Sequence, residues 1–221
     1  MKRKEVLKTG DTHHVMNKSI AGYKIFNSES DFDRFIKSLQ FYSFDQNKIR
    51  FSQLFNSTVV QNYGFKQTME KRMKDEEKLV QVIAYCVMPT HFHLILKQLK
   101  EEGISNYMKD VSNSHSHYFN NKNNRKGTLW ESRFENVRVK TDEQLLHLTR
   151  YIHLNPTTAG LVEDPEDWIY SSYNEYISQE ETGFCSYENI LDIKPKKYKE
   201  FVDARKDYQR NLSKIKRITL E

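Results

Sequence analysis

Two neighbouring stretches, residues 79–87 (LVQVIAYCV) and residues 91–97 (HFHLILK), decide the fold of this 221-residue chain. Both are rich in β-branched and other apolar side chains, and the first has the nearly continuous apolar character of a buried central strand. The tripeptide between them, residues 88–90 (MPT), makes a tight break. The two stretches therefore predict a β-hairpin at the centre of a sheet.

The sequence upstream of this hairpin predicts a strand, a helix and an insertion. Residues 12–20 (THHVMNKSI) have the pattern of a short, partly polar strand. An amphipathic helix follows, capped by Ser28 or Ser30, because apolar side chains recur at helical spacing as far as Phe41. The polar residues 46–78 are predicted to be helical pieces inserted between core elements.

The sequence downstream predicts two more helices with a strand between them. Residues 103–121 carry apolar side chains near helical spacing, and residues 128–140 (TLWESRFENVRVK) are extended and end in a strand. A helix then opens at residues 141–143 (TDE) and runs to about Asn155, where Pro156 should bar its continuation.

The order of these elements defines the fold class as α+β. Without the insertion, the order is βαββαβ, which is the ferredoxin-like arrangement with an antiparallel sheet, and one extra helix follows it. We predict a main domain at residues 1–176 that contains the insertion at about 46–78. Residues 177–221 are predicted to form a helical, basic C-terminal extension with a solvated face.

Composition limits the class of protein and its partners. The net charge of +5 and the pI of about 9.0 suit a polyanionic partner, although the same excess also serves solubility. Cys86 and Cys185 are the only cysteines and lie far apart, which excludes a disulfide framework and a CxxC-type zinc site. No apolar run approaches membrane-spanning length, so we expect a soluble, cytoplasmic protein with no membrane partner.

The first group of residues with chemical potential is His91-Phe92-His93. Side chains alternate along a strand, so both imidazoles project from one face of the sheet and Phe92 projects from the other. Neutral imidazole is a common ligand of metal ions, which would explain two polar rings on an apolar strand. The alternative is a pair of exposed or hydrogen-bonded histidines.

The second group is Tyr151 and Asn155, four residues apart on the last core helix and therefore on one of its faces. A phenol is a poor nucleophile at neutral pH because its pKa is about 10, but it becomes competent beside a metal-bound phosphate. The amide oxygen of Asn155 could complete a site begun by two imidazoles. The alternative is an ordinary tyrosine and a helix end before proline.

The third group combines cations with aromatic rings in the segment from Lys122 to Phe134. Single-stranded nucleic acid suits such a pattern, because phosphates pair with cations and bases stack on rings. A solvated loop with a core tryptophan is the alternative. The nucleic-acid-binding residues predicted here and on the following helix are Lys122, Arg125, Lys126, Trp130, Arg133 and Arg150.

Taken together, these segments resemble a known family. Residues 88–94 (MPTHFHL) are similar to the HUH motif, His-hydrophobic-His, of the single-tyrosine transposases. Residues 129–134 (LWESRF) resemble the family's LWQ-x-RF segment with Glu in place of Gln. Residues 151–162 resemble its YI-x-x-NP…AGLV signature, and residues 168–173 resemble its W-x-x-SSY segment. The closest branch is the REP-associated tyrosine transposases.

This resemblance implies an activity and a set of roles. Family members cut and rejoin single-stranded DNA beside a small hairpin, through a 5′-phosphotyrosine intermediate and without a nucleotide cofactor. Tyr151 is then the nucleophile, and His91, His93 and Asn155 are the ligands of one Mg²⁺ or Mn²⁺. The implied partner is single-stranded or hairpin DNA, and the protein is a monomer or a homodimer.

Three other interpretations stay open at the level of sequence. A domesticated member could bind hairpin DNA or RNA and cleave it weakly or for a host task. A non-catalytic nucleic-acid-binding module could use the same sheet, although binding alone does not need the tyrosine, histidine and asparagine set. A structural metalloprotein is disfavoured, since structural zinc sites are usually closed by four protein ligands.

Overall fold

The structure of the protein is a computed structural model. It describes residues 5–45, 49–178, 183–187 and 190–218, and for residues 207–218 it describes the backbone only. Its centre is a four-stranded antiparallel sheet in the order β2-β3-β1-β4. The strands are β1 (Thr12–Lys18), β2 (Val80–Met88), β3 (His91–Gln98) and β4 (Glu135–Val139). This order confirms the ferredoxin-like core.

Eight helices accompany the sheet within the described residues. They are α1 (Glu29–Tyr42), α2 (Phe51–Phe55), α3 (Thr58–Tyr63), α4 (Phe65–Arg72), α5 (Gly103–Lys122), α6 (Asp142–Thr158), α7 (Tyr173–Ile177) and α8 (Pro195–Ile218). The predicted insertion is thus helical, formed by α2, α3 and α4 around a small core of their own with the end of α1. No described helix has the length and apolar character needed to cross a bilayer.

The two faces of the sheet carry separate apolar cores. Helices α1 and α5 cover one face, where Val15, Phe92 and Leu94 are buried with Phe35 and Tyr107. Helices α6, α7 and α8 cover the other face, where the buried side chains include Ile83, Cys86, Ile95, Ile152 and Tyr198. Side chains of β3 therefore alternate between the two faces: Phe92, Leu94 and Leu96 lie in the first core, and Ile95 between them lies in the second.

The predicted central position of residues 79–87 is wrong, because β2 is an edge strand whose two faces are both covered by helices. The β2–β3 hairpin is anchored at its turn, and β2 contains one irregularity. The backbone N–H groups of Ile25 and Phe26 both donate to the carbonyl of Pro89, at 2.8 and 3.1 Å. A register shift between Val82 and Ala84 exchanges the faces to which β2 side chains point. As a result, the continuous apolar run of β2 supplies both cores.

Helix α1 begins as its sequence predicts. Ser28 is the N-cap, and the carboxylate of Asp31 accepts hydrogen bonds from the backbone N–H groups of Asn27 and Ser28, both at 3.0 Å. Such an acceptor satisfies N–H groups that have no partner inside the helix. Ser28, rather than Ser30, is therefore the start of this helix.

The predicted end of α6 at Asn155 is wrong, because the helix continues through Pro156 to Thr158. Proline removes one N–H donor, but so close to the C-terminus this loss affects few hydrogen bonds. The end of the helix keeps other hydrogen bonds: the hydroxyl of Thr157 donates to the carbonyl of Leu154 at 2.9 Å, and the N–H of Ala159 donates to the carbonyl of Asn155 at 2.9 Å.

The described part of the predicted C-terminal extension contains helix α8, but the first turns of this helix are packed against the protein and are not solvated. Tyr198 and Val202 of α8 are fully buried in the core beside α6. The guanidinium of Arg150 lies over the ring of Phe201, 4.0 Å from its centroid, and donates to the Phe201 carbonyl at 3.3 Å. Aromatic and apolar residues spaced within a basic sequence thus attach α8 to α6.

The outer edge of β2 is covered by segments that follow α6. The backbone N–H of Val87 donates to the carbonyl of Tyr170, and the N–H of Ser172 donates to the carbonyl of Tyr85, both at 2.9 Å. Further along, the N–H of Ser186 donates to the carbonyl of Val82 at 2.9 Å. Residues near 170 and 186 therefore occupy hydrogen-bonding groups that a strand edge would otherwise expose.

Candidate active site

Strand β3 places the two predicted imidazoles on the same face of the sheet. Phe92 and Leu94 point into the core under α1 and α5, so His91, His93 and Ile95 point towards α6. The ring centroids of His91 and His93 are 5.2 Å apart, and the rings are nearly perpendicular. Strand alternation has brought this pair together as the sequence predicted.

Each of these imidazoles has its Nδ1 atom engaged. Nδ1 of His91 lies 2.9 Å from the hydroxyl of Thr90, and Nδ1 of His93 lies 3.0 Å from Nε2 of His14 on β1. Among the described residues, neither His91 nor His93 has a hydrogen bond at Nε2. Two Nε2 atoms are therefore available on one face of the sheet.

Helix α6 brings Tyr151 to this pair. The Tyr151 ring meets the His93 ring edge-on, with centroids 6.0 Å apart. Its side chain is 45% exposed, whereas His93 beneath it is 5% exposed. A phenol on the surface of the protein can meet a large substrate, and the buried imidazole beside it is held in place.

Asn155 lies one turn further along α6, on the same helix face as Tyr151, and is 9% exposed. Its Nδ2 atom is buried and has no hydrogen-bond partner among the described residues. A half-turn of the amide exchanges the nitrogen and the oxygen at this position. Asn155 therefore carries a buried amide with one polar atom that the described residues leave without a partner.

The electrostatics of the cluster keep its imidazoles neutral. Burial, with contributions from His14 and His91, lowers the pKa of His93 to about 3. Burial lowers the pKa of His14 to about 4, and burial together with Lys18 lowers the pKa of His91. A neutral imidazole has a free lone pair, which is the form that binds a metal ion.

A further buried histidine, His153 on α6, was not predicted from the sequence. Its Nδ1 lies 2.6 Å from the hydroxyl of Tyr198, and its Nε2 lies 2.8 Å from the hydroxyl of Ser172. That hydroxyl also accepts from the N–H of Tyr85 at 2.9 Å. No sequence signal marks this network, because its members come from α6, α8, β2 and the start of α7.

Three of the predicted nucleic-acid-binding cations have partners within the protein. Lys122 pairs with the carboxylate of Asp31 at 2.6 Å. Arg125 donates to the carbonyl of Thr128 at 2.6 Å and closes the loop after α5. Arg150 holds α8, as described above. Their roles in binding stay predictions, since an ion-paired or capping side chain can still contact a phosphate.

Of the other three predicted residues, Trp130 and Arg133 lie at a groove beside α5, and Lys126 is not among the residues that line it. Trp130 and Arg133 line this groove of about 580 Å³, together with Asn17, Lys109 and Asn113. The indole N–H of Trp130 donates to the carbonyl of Ser112 at 3.1 Å, which leaves the ring partly exposed. Arg133 and Lys126 are exposed, and within the described chain neither forms an ion pair.

The fold and this site agree with a known class of protein. The sheet order, the histidine pair on β3 and the tyrosine on the helix that crosses it are the features expected of a single-tyrosine transposase. A family model described as "Transposase IS200 like" matches residues 49–155. Over these residues the chain is similar to the IS200-like transposases.

The relatives that match belong to the REP-associated branch. One is a REP-associated tyrosine transposase by name, from Haemophilus influenzae, 30% identical over 112 residues that cover 45% of this chain and 62% of the relative. Another is the REP-associated tyrosine transposase of Escherichia coli, 23% identical over 100 residues that cover 45% of this chain and 58% of the relative. The chain thus matches about three fifths of the length of each relative, and the predicted resemblance is confirmed.

A solved structure supports the fold. It is described as a REP-associated tyrosine transposase bound to a REP hairpin, and it covers 87% of this chain and 94% of its own, with a TM-score of 0.50 and 15% identity. At this identity the likeness concerns the architecture. It agrees with the ferredoxin-like core found here.

Proposed function

We propose that this protein cleaves and rejoins single-stranded or hairpin DNA through a covalent bond between Tyr151 and a 5′ phosphate. The observation that carries this proposal is the position of Tyr151, an exposed phenol 6.0 Å, ring to ring, from a buried imidazole with an unengaged nitrogen. A nucleophile must be open to its substrate, and it needs polar groups beside it to stabilise the charge that develops in the reaction.

The other tyrosines considered for this role are poorly placed. Tyr107 and Tyr173 are fully buried in the two cores. Tyr118 donates its phenol proton to the carboxylate of Asp31 at 2.8 Å, on the far side of the sheet. Of these four tyrosines, Tyr151 is the one whose exposure and neighbours support a role as nucleophile.

The residues beside Tyr151 fit a divalent cation. His91 and His93 would offer Nε2 lone pairs, and the unpartnered amide of Asn155 would offer its oxygen. When bound, Mg²⁺ or Mn²⁺ would neutralise charge on the oxygens of the phosphate under attack. This ligand set is part of the proposal.

The reaction balances without an outside energy source. Tyr151 loses its phenol proton and its oxygen forms a bond to phosphorus, while the bond between phosphorus and the 3′ oxygen breaks. The departing 3′ oxygen takes up a proton and becomes a hydroxyl. Attack by a 3′ hydroxyl on the phosphotyrosine reverses these steps, so the phosphodiester energy is conserved in the intermediate.

Two observations support DNA with a hairpin as the partner. The solved structure of similar fold is described as bound to a REP hairpin. In this chain, exposed Arg133 and Lys126 accompany the partly exposed ring of Trp130. Cations near an aromatic platform suit unpaired nucleotides next to a stem.

The test is the formation of a covalent adduct. The full chain is incubated with Mn²⁺ and labelled hairpin oligonucleotides that carry single-stranded flanks, copied from the DNA around the gene. We expect a protein–DNA species that survives denaturing electrophoresis and is absent from Tyr151→Phe, because phenylalanine keeps the ring and removes the attacking oxygen. Tyr63→Phe, which changes another exposed phenol (65% exposed), is the matched control.

Mass spectrometry of the digested adduct should locate the nucleotide on the peptide that contains Tyr151. An adduct that persists in Tyr151→Phe would refute the assignment of the nucleophile. Tight hairpin binding without any adduct in the wild-type protein would favour a protein that binds nucleic acid without cleaving it.

A further inference from the structure

The contact between His14 and His93 is the feature on which a further inference rests. Nε2 of His14 lies 3.0 Å from Nδ1 of His93, and the two rings are stacked, with centroids 5.2 Å apart and planes inclined by 17°. In the register of β1 and β3, Met16 is the direct partner of His93 and Ile95 is the direct partner of His14. The two imidazoles therefore meet diagonally across neighbouring strands.

This hydrogen bond has two possible directions with different consequences. Between two neutral imidazoles, one nitrogen must carry the proton and the other must accept it. If Nδ1 of His93 is protonated, its Nε2 has a free lone pair on the face where Tyr151 lies. In the reverse arrangement Nε2 of His93 would carry a proton, and within the described residues it has no acceptor.

We propose that His14 is a positioning residue: it accepts the Nδ1–H of His93 and thereby fixes the tautomer and the orientation of the His93 ring, so that Nε2 is presented to the metal ion. The inference rests on the proposed function, in which His93 is a ligand. His14 itself acts only through His93.

A second observation argues against His14 as a ligand of the metal ion itself. Its Nε2 is already engaged with His93, and the described part of the chain has no group of three or more His, Cys, Asp or Glu side chains arranged to hold a metal ion. The hydroxyl of Thr90 holds Nδ1 of His91 in the same way, at 2.9 Å. Both proposed imidazole ligands thus have an outer partner at Nδ1, as metal-binding histidines commonly do.

The loss of such an outer partner weakens metal binding by roughly 10- to 100-fold. We therefore expect His14→Phe, which keeps an aromatic ring without an acceptor, to weaken Mn²⁺ binding by about that factor. His14→Gln can place an amide oxygen near the position of Nε2 and should restore affinity to within a few-fold. Met16→Leu changes the direct neighbour of His93 on the same face of β1 and should leave Mn²⁺ affinity unchanged.

The experiment measures Mn²⁺ binding to the full chain without DNA, by the electron paramagnetic resonance signal of free Mn²⁺. A second measurement uses metal-free protein: long-range ¹H–¹⁵N correlation spectra of the histidine rings, with His93 assigned by its loss in His93→Gln. We expect the wild-type His93 to be the Nδ1–H tautomer. In His14→Phe, its ring nitrogens should shift towards a mixture of tautomers.

The outcomes separate this inference from the proposed function. An Nε2–H tautomer of His93 in the wild-type protein would overturn the inference, as would equal Mn²⁺ affinity in wild type and a folded His14→Phe. If the wild-type protein binds no Mn²⁺, the proposed metal site fails, while the tautomer measurement still decides the role of His14. If His14→Phe does not fold, the wild-type tautomer remains the deciding result.

Discussion

Two buried histidines, His93 on β3 and His153 on α6, are alike in burial and differ in their hydrogen bonds. His93 contacts Tyr151 of α6, and His153 lies two residues along the same helix; burial lowers the pKa of each imidazole to about 3. In His153 both ring nitrogens are engaged, by Tyr198 and Ser172. In His93, Nδ1 is engaged by His14, and Nε2 has no hydrogen bond to any residue that the structure describes.

This difference in hydrogen bonding shows that burial and a lowered pKa do not by themselves identify a functional histidine. The ring of His153 is enclosed by Tyr173, Tyr176 and Tyr198, and its bonds join α6 to α8 and the start of α7. The ring of His93 has an exposed phenol above it and an unengaged nitrogen. One histidine therefore holds the helix, and the other is available to a ligand.

The largest expected effect comes from His93→Ala. Loss of a proposed ligand should reduce strand cleavage by roughly 10³-fold or more, since residues that act as one unit fail together. Hairpin affinity should stay within a few-fold, because binding draws mainly on phosphate contacts. Cleavage assays and filter binding with the same hairpin measure the two effects, and a matching loss of affinity would contradict this division.

His153→Ala should act on stability instead. The change leaves the hydroxyls of Tyr198 and Ser172 without their partner and opens a cavity, so we expect the free energy of unfolding to fall by about 3 kcal/mol. Urea denaturation of both alanine variants gives the comparison. A stability loss as large in His93→Ala as in His153→Ala would remove the distinction between the two environments.

Acid provides a third test, at a buried histidine on the opposite face of the sheet. Burial lowers the pKa of His115 from its ordinary 6.5 to about 4. A hydrogen bond with the Ile25 carbonyl and the charge of Asp31 raise this pKa, whereas the charges of Arg34 and Lys122 lower it further. Below pH 6.5 the unfolded chain takes up a proton that the folded protein excludes until about pH 4. This contribution to stability is therefore intact above pH 6.5 and declines as the pH falls, by up to about 1.4 kcal/mol per pH unit.

His115→Gln removes this titrating group. The drop in unfolding free energy between pH 7 and pH 5 should then be smaller by about 2 kcal/mol than in the wild-type protein. Urea denaturation at the two pH values measures it. The same drop in both proteins would show that the pKa of His115 is not depressed in the folded protein.

The smallest expected effect concerns the DNA-binding surface. Arg133→Ala should weaken hairpin binding roughly tenfold and reduce the slope of log affinity against log salt by about one, as expected for one lost phosphate contact. Lys71→Ala, an exposed cation of α4 in the insertion, is the matched control. An unchanged salt slope in Arg133→Ala would place the DNA elsewhere.

Much of the fold could be predicted from sequence because it depends on local patterns. The apolar hairpin strands, the helical spacing in α1 and α5 and the capping residues all act over a few positions. The same applies to His91 and His93, since strand alternation alone puts them on one face. Pro156 misled the prediction because its cost depends on how few hydrogen bonds remain to be lost at the helix end.

The parts that could not be predicted depend on pairings between distant segments. His14 meets His93 only because β1 lies beside β3 in one register, and neither sequence segment specifies that register by itself. Tyr198 meets His153 across 45 positions of sequence, within a segment whose composition is that of a solvated basic helix. In both cases the decisive contact is made by tertiary structure.

The covered edge of β2 has a consequence for the behaviour of the chain outside its native state. An apolar strand with unpaired backbone groups is a template for pairing with other chains, and proteins avoid aggregation by occupying such edges. Here the residues that form hydrogen bonds with the edge of β2 come late in the sequence, at Tyr170, Ser172 and Ser186. A chain released or cut before residue 170 would present β2 uncovered, and one cut at 176 would lose the contact at Ser186. Soluble truncated forms should therefore retain the chain through that residue.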